Sequence, residues 1–164
     1  MHFDLLDSNF SIPPEFLNDY NYIISHRCIS VHIRRGDYLN KKNAAIMALC
    51  SIDYYIKGVE YILEFFPDSN IVLFSDDMEW VKENFKINRE LYYVKDKGIN
   101  PFWDIFLMSK CQHNVMSNST FSWWGAILNS YSDKIVIAPK QWFNHSDNPE
   151  LYNDNWILLD NHPK

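Results

Sequence analysis

The residues best suited to chemistry lie where an apolar run ends, in the stretch HIRRGD at positions 32–37. Arg34 and Arg35 are adjacent cations in a chain whose formal net charge is −6. Burying a guanidinium group without a partner is costly, so we expect an anion to meet these side chains. Arginine binds phosphate through a planar fork of N–H groups and stays charged in any environment. The stretch predicts a phosphate site, and the alternative is a surface ion pair between one arginine and Asp37.

A second polar cluster runs from Ser117 to Ser122 and contains three serines, an asparagine and a threonine. It lies between a predicted strand and a predicted helix, where backbone N–H groups and hydroxyls together form an anion site. The alternative is ordinary capping of the helix by Ser119 or Thr120. Capping needs one such residue and the cluster has several, which favours the anion site. The tryptophans at 123 and 124 are expected in the helix core rather than in a stacking platform.

Carboxylates form the third group of candidates. Asp76 and Asp77 end the stretch FSDD, and we expect them to hold Arg34 or Arg35 in place or to accept hydrogen bonds from a sugar. The alternative is that they favour the start of the next helix through its dipole. Asp104 stands among apolar residues in PFWDIFLM, so we expect it to bind a ligand donor such as a base N–H, unless this helix position is exposed.

The elements that must position these residues alternate along the chain. Apolar runs predict strands, and apolar residues at helical spacing predict helices. The predicted strands are 28–33, 71–74, 91–94, 113–117 and 134–139, and the predicted helices are 52–66, 78–85, 101–111 and 120–131. This order predicts an α/β fold with a Rossmann-like, doubly wound parallel sheet. Ligands bind beyond the carboxyl ends of such strands. Three polar groups fall there: residues 32–37, 75–77 and 117–122. The tail from Lys140 is expected to pack back on the core.

Length and composition limit the class of protein. The 164 residues suit one domain, and a hydrophobic content of 47% argues against disorder. No apolar run is long enough to span a bilayer, and the acidic balance argues against a nucleic-acid partner. Cys28, Cys50 and Cys111 lack metal-type spacing and fit the reduced thiols of a cytoplasmic protein. The sequence has no glycine-rich phosphate loop. If the protein binds a diphosphate, arginine, hydroxyls and helix dipoles must neutralise its charge.

Three motifs in this order resemble glycosyltransferase family 11, the α-1,2-fucosyltransferases: VHIRRGDYL, the FSDD strand end, and DIFLMSKCQHNVMSNSTFSWWGAIL. The resemblance runs from Ile29 to Phe143. It implies a two-lobed GT-B fold, in which residues 28–164 form the C-terminal, GDP-fucose-binding Rossmann-like lobe. Residues 1–27 would be a linker or a remnant of the N-terminal lobe.

The resemblance also implies the reaction. Family members transfer fucose from GDP-fucose to a galactoside with inversion, in α-1,2 linkage, and need no metal or other cofactor. The acceptor would be a galactoside-containing glycan of a bacterial surface polysaccharide. The protein would be cytoplasmic or peripheral to the inner membrane, with no integral membrane segment and no nucleic-acid partner.

Individual roles follow from the same resemblance. Arg34, as the catalytic residue, would bind the β-phosphate and stabilise the departing GDP, where charge develops. His32 and Asp104 would lie near the guanosine, and Ser119 and Thr120 would contact the diphosphate. The remaining residues would support the pocket, partly as ion-pair partners: Arg35, Asp37, Asp76 and Asp77.

Two other functions stay open. Only 31 residues precede His32, whereas family members have a substantial N-terminal lobe that helps to bind the acceptor. This favours a catalytically incomplete GDP-sugar-binding module that needs an N-terminal lobe or a second chain. A Rossmann-like phosphate-binding regulator is the other candidate, and the stretch SNSTFSWWGA disfavours it.

Overall fold

The computed structural model describes residues 11–95, 97–98, 100–145 and 150–162, and these build a parallel sheet with helices on both faces. The strands are β1 (Cys28–Ile33), β2 (Asn70–Ser75), β3 (Leu91–Tyr93), β4 (His113–Val115), β5 (Val136–Pro139) and β6 (Ile157–Leu159). The helices are α1 (Pro14–Ser25), α2 (Lys41–Ala44), α3 (Ile52–Phe65), α4 (Met78–Asn84), α5 (Phe102–Lys110) and α6 (Thr120–Leu128), with a 3-10 helix at Gly36–Leu39. The predicted α/β class is confirmed.

The order of the strands places a ligand crevice at the centre of the sheet. The six strands lie in the order β3-β2-β1-β4-β5-β6, and every pairing between them is parallel. The chain reverses its direction of winding between β1 and β4, the switch point, and Val31 lies opposite Val115 there. In doubly wound sheets, ligands bind beyond the carboxyl ends of the strands at this point. We call this side of the sheet the carboxyl edge.

The pleat of β1 divides its residues between the two helical layers. Ile29, Val31 and Ile33 are fully buried in a core that α3 and α4 complete. Burying each such side chain stabilises the fold by about 1.5–3 kcal/mol. Cys28 and His32 face the opposite layer, which contains α1, α5 and α6. Because side chains alternate along a strand, the two residues after β1 are expected on different faces.

The helix α1 was not among the predicted elements. Pro14 occupies the first turn, where its missing N–H costs nothing. Phe16 stacks on Trp103 at a ring distance of 5.6 Å, and Ile23 is fully buried. The helix therefore docks on α5. Residues 1–10 lie outside the described residues, and the assignment of positions 1–27 to a linker or an N-terminal lobe stays a prediction.

The tail packs on the core as predicted, but it also adds a strand that was not predicted. Trp142 and Trp156 are buried, and β6 extends the sheet beside β5. Among the described residues, none of the helices has the length and apolar character that a membrane span requires.

Candidate functional site

A cavity of about 350 Å³ opens at the carboxyl edge beside the switch point. Its walls come from the ends of β1 and β2, the segment after β3, and the first turns of α5 and α6. The lining residues are His32, Arg34, Phe74, Ser75, Asp76, Val94, Pro101, Asp104 and Phe121. The volume falls within the range of small-molecule sites, and the lining combines apolar walls with a few convergent polar groups.

Arg34 brings a positive charge to the cavity wall, between two carboxylates. Its Nη2 lies 2.6 Å from Oδ1 of Asp37, and its Nη1 lies 3.0 Å from Oδ2 of Asp76. The predicted ion pair with Asp37 is therefore present, and it occurs together with the cavity position rather than instead of it. A guanidinium group has more N–H donors than these two contacts use, so Arg34 can still bind an anion.

Arg35 points to the other face of the sheet. Its Nε lies 3.3 Å from Oδ2 of Asp77, and its guanidinium carbon lies 3.4 Å from the centre of the Trp80 ring. Such stacking of a cation on an aromatic face is favourable. Its backbone N–H donates to Oδ1 of Asp76 at 3.0 Å. Arg34 and Arg35 therefore lie on different faces, as the alternation along β1 predicts: Arg34 lines the cavity and Arg35 contacts Asp77.

Asp76 and Asp77 hold the arginines, and Asp77 also begins a helix. Asp77 is the N-cap of α4, and its Oδ1 accepts a hydrogen bond from the backbone N–H of Trp80 at 3.4 Å. Two of the three roles considered for this pair, holding the arginines and starting the helix, are therefore found together, and the contact with a sugar stays a prediction. A Cβ atom at Gly36 would lie only 2.5 Å from Oδ2 of Asp76. A side chain at position 36 would therefore force the Asp76 carboxylate away from its contacts with Arg34 and with the backbone N–H of Arg35.

His32 bridges the switch point. Its side chain is buried, and its Nδ1 lies 3.0 Å from Oγ of Ser117, in the segment after β4. Burial and the neighbouring charge of Arg34 lower the pKa of His32 to about 3, so the ring is neutral at neutral pH. The sequence placed Ser117 in a polar cluster but did not identify it as the partner of His32.

The start of α6 lies beside the cavity. Ser119 is the N-cap, and its Oγ accepts a hydrogen bond from the backbone N–H of Phe121 at 3.3 Å, so the capping alternative is confirmed. Thr120 is exposed, and neither residue is among those that line the cavity. Their contact with a diphosphate stays a prediction. Trp123 is partly buried, whereas Trp124 is 47% exposed, so the expectation of a core position is wrong for Trp124.

Asp104 lies in the first turn of α5, is half-buried, and lines the cavity. The exposed position that was the alternative is therefore not observed. Its carboxylate adds a hydrogen-bond acceptor to a wall that also contains the guanidinium of Arg34 and the ring of His32. The described part of the chain contains no group of three or more His, Cys, Asp or Glu residues that could hold a metal ion.

A doubly wound parallel sheet with an arginine in a cavity beside its switch point is typical of the class of α/β proteins that bind ligands beyond the carboxyl ends of their strands. Comparison with known proteins narrows this class. The family model described as "Glycosyl transferase family 11" matches residues 15–160, nearly the whole chain. The chain belongs to glycosyl transferase family 11.

Individual relatives agree with this assignment. The chain is 37% identical to the Escherichia coli O-antigen biosynthesis glycosyltransferase WbnK, over 96% of this chain and 56% of WbnK. It is 40% identical to an Escherichia coli alpha-1,2-colitosyltransferase, over 73% of this chain and 42% of that protein. It is 29% identical to galactoside alpha-(1,2)-fucosyltransferase 2 of Rattus norvegicus, over 67% of this chain and 32% of that protein. The chain spans about half the length of the two bacterial relatives.

Among solved structures, the chain is similar to KpsC of Thermosulfurimonas dismutans, a beta Kdo 2,4 transferase. The match has a TM-score of 0.41 and 15% identity, and it covers 79% of this chain and 46% of KpsC. The likeness is too loose to support an inference.

Proposed function

We propose that this chain is the donor-binding lobe of a GT-B α-1,2-fucosyltransferase. The whole enzyme would transfer fucose from GDP-fucose to a galactoside of a bacterial surface polysaccharide, with inversion and without a metal. It would act in the cytoplasm, at or near the inner membrane. Membership of family 11 and the α-1,2 linkage named for several relatives support this proposal. The observation that carries it is the guanidinium of Arg34 in the wall of the cavity at the switch point.

The geometry suggests how the reaction is promoted. A nucleotide diphosphate at the carboxyl edge would place a phosphate against Arg34. When the acceptor hydroxyl attacks the anomeric carbon, the bond from that carbon to the phosphate oxygen breaks, and negative charge grows on the departing GDP. Arg34 donates hydrogen bonds to that charge and stabilises it. Attack from the face opposite the leaving group inverts the anomeric centre, and the hydroxyl proton leaves to a base.

The base end of the nucleotide would meet His32 and Asp104. Guanine presents two adjacent donors, its N1–H and its exocyclic amino group, and a carboxylate such as that of Asp104 can accept from both. Adenine has an amino donor beside a ring nitrogen that only accepts, so a carboxylate at this position favours GDP over ADP. Arg35 and Asp77 would act indirectly, by holding the end of β1 against α4.

To identify the donor sugar, the binding of two GDP-sugars must be compared. A relative at 40% identity is named as a colitosyltransferase, and others are named as fucosyltransferases. Colitose is the 3-deoxy counterpart of fucose, so the two GDP-sugars share every group that the cavity would contact in the nucleotide. GDP-colitose is therefore the second candidate donor.

A second candidate function is a GDP-sugar-binding module that needs another lobe or chain for transfer. The chain's match to about half the length of its bacterial relatives favours this possibility. It predicts donor binding without transfer when the chain is tested by itself.

Calorimetric titration tests the proposal. The folded chain is titrated with GDP, GDP-fucose, GDP-colitose and ADP, each with and without EDTA. We expect the guanine nucleotides to bind, ADP to bind much more weakly, and EDTA to have no effect. Absence of GDP binding to a folded sample, or equal affinity for ADP, would contradict the proposal. Adding a galactoside to the GDP-fucose complex and measuring fucosylated product then distinguishes a complete enzyme from a binding module.

A further inference from the structure

Two serine hydroxyls behind His32 form a hydrogen-bonded chain that leads away from the cavity. Oγ of Ser117 lies 3.0 Å from Nδ1 of His32 and 3.3 Å from Oγ of Ser122. The hydroxyl of Ser122 donates to the backbone carbonyl of Ser117 or of Ser119, each at 3.2 Å. All three side chains are buried, so water does not compete for these contacts. We call this set the hydroxyl chain.

The hydroxyl chain has two possible directions, and they are not equivalent. If Ser122 donates to a carbonyl, its oxygen accepts from Ser117, whose oxygen in turn accepts from Nδ1–H of His32. This direction makes three hydrogen bonds, from His32 to Ser117, from Ser117 to Ser122, and from Ser122 to the carbonyl. In the reverse direction, Ser122 donates to Ser117 and Ser117 donates to Nδ1 of His32. Only these two hydrogen bonds form, because the proton of Ser122 turns away from the carbonyl. Both carbonyls also accept a backbone N–H, from Ser119 and from Trp123, so the two directions differ by one hydrogen bond of the Ser122 hydroxyl. The first direction is favoured because it makes this additional bond.

We propose that Ser117 and Ser122 are positioning residues that hold His32 as the Nδ1–H tautomer, so that its Nε2 accepts a hydrogen bond from the bound nucleotide. His32 lines the cavity, and Nε2 is the ring nitrogen that the hydroxyl chain leaves for the ligand. The ring is neutral because burial and the charge of Arg34 lower the pKa of His32 to about 3. A neutral ring has one donor and one acceptor, so its tautomer decides which ligand group it selects.

Histidine nitrogen NMR on the ligand-free, folded chain tests the tautomer. His32→Gln identifies the signals of His32. We expect the Nδ1–H tautomer in the unaltered chain. In Ser122→Ala, the hydroxyl of Ser117 loses its acceptor and turns to donate to Nδ1, so we expect the Nε2–H tautomer. In Ser117→Ala, Nδ1 has no partner, and we expect the preference for one tautomer to be lost.

Ser109→Ala is the matched control. Ser109 is also a buried serine, its hydroxyl donates to the carbonyl of Phe106 at 2.7 Å, and it lies outside the hydroxyl chain. This variant should keep the Nδ1–H tautomer. The Nε2–H tautomer in the unaltered chain, or an unchanged tautomer in Ser122→Ala, would overturn the proposal.

The ligand part of this inference rests on the proposed function, and GDP affinity tests it. Reversing the tautomer turns an acceptor into a donor, so Ser122→Ala should weaken GDP binding about tenfold, whereas Ser109→Ala should not. Reversal of the tautomer with unchanged GDP affinity would show that Nε2 does not select the nucleotide. If the unaltered chain binds no GDP, the proposed function fails, and the NMR measurement still decides whether the hydroxyl chain sets the tautomer.

Discussion

Replacing Arg34 with alanine removes the guanidinium from the cavity wall and leaves two carboxylates in place. Asp37 and Asp76 lie 2.6 Å and 3.0 Å from the guanidinium nitrogens. Without Arg34, the carboxylate of Asp76, which lines the cavity, and the neighbouring carboxylate of Asp37 have no cation between them and a bound diphosphate. The variant therefore loses an attractive contact and gains a repulsive one.

The size of the effect follows from the kind of contact. A hydrogen bond to a charged group contributes about 1.5–3 kcal/mol, which weakens GDP binding about 10- to 150-fold when it is lost. Repulsion from the two carboxylates moves the result toward the upper end of this range. The stability of the fold should change little, because Arg34 is 30% exposed and its ion pairs are near the surface. Arg34→Lys should restore little affinity if the contact uses two N–H groups.

Calorimetry with GDP in the presence of EDTA measures this effect, and urea unfolding shows that the variant is folded. Arg27→Ala is the matched control, because Arg27 stands just before the other end of β1 and pairs with Asp133 at 3.3 Å. It removes the same charge from the chain without touching the cavity. Unchanged affinity in Arg34→Ala would remove Arg34 from the site. An equal loss in both variants would show that only the total charge of the chain matters.

Three further variants test other parts of the structure. Asp104→Ala should reduce the preference for GDP over ADP in calorimetry, and an unchanged ratio of affinities would rule out base recognition by this residue. Asp19→Ala should lower the free energy of unfolding in urea by about 3 kcal/mol, because it leaves the mostly buried ammonium of Lys97 without its carboxylate; a loss of less than about 1 kcal/mol would contradict this. The lowered pKa of His32 means that the unfolded chain binds the extra proton first as pH falls below about 6.5, so stability decreases toward acid. His32→Gln should remove about 2 kcal/mol of the loss between about pH 7 and pH 5, and an unaltered pH dependence would count against a buried neutral ring.

The sheet and its main helices could be predicted because each strand is an apolar run and each helix between strands has an apolar face. The helix α1 was not predicted, although Phe16, Tyr20 and Ile23 recur at helical spacing, because two prolines and several asparagine and aspartate residues in this stretch are typical of a loop. Its apolar face packs on α5, and this docking contributes to its stability. The strand β6 has only three residues, and its central Leu158 is 46% exposed, so the pattern indicated packing but not pairing.

The position of the cavity could be predicted, but the partners of its lining residues could not. Parallel strands bring their carboxyl ends to one edge, and this places His32, Arg34 and Asp76 together from their order in the sequence alone. The contact between His32 and Ser117 joins residues 85 positions apart, and no local pattern indicates which hydroxyl of the polar cluster the ring meets. Trp124 was wrongly expected in the core because α6 is apolar on most of its surface, so its sequence does not distinguish the buried face.

The balance of charge around Arg34 indicates how a polyanion could enter. Three carboxylates surround two guanidinium groups here, so a diphosphate that binds Nη1 and Nη2 of Arg34 in place of a carboxylate would displace one of its two partners. Asp76 is held in place, because it also accepts the backbone N–H of Arg35 and packs against Gly36. The side chain of Asp37 is 52% exposed, and its carboxylate contacts Arg34. We therefore expect such a phosphate to replace Asp37, while Asp76 keeps the guanidinium oriented toward the cavity.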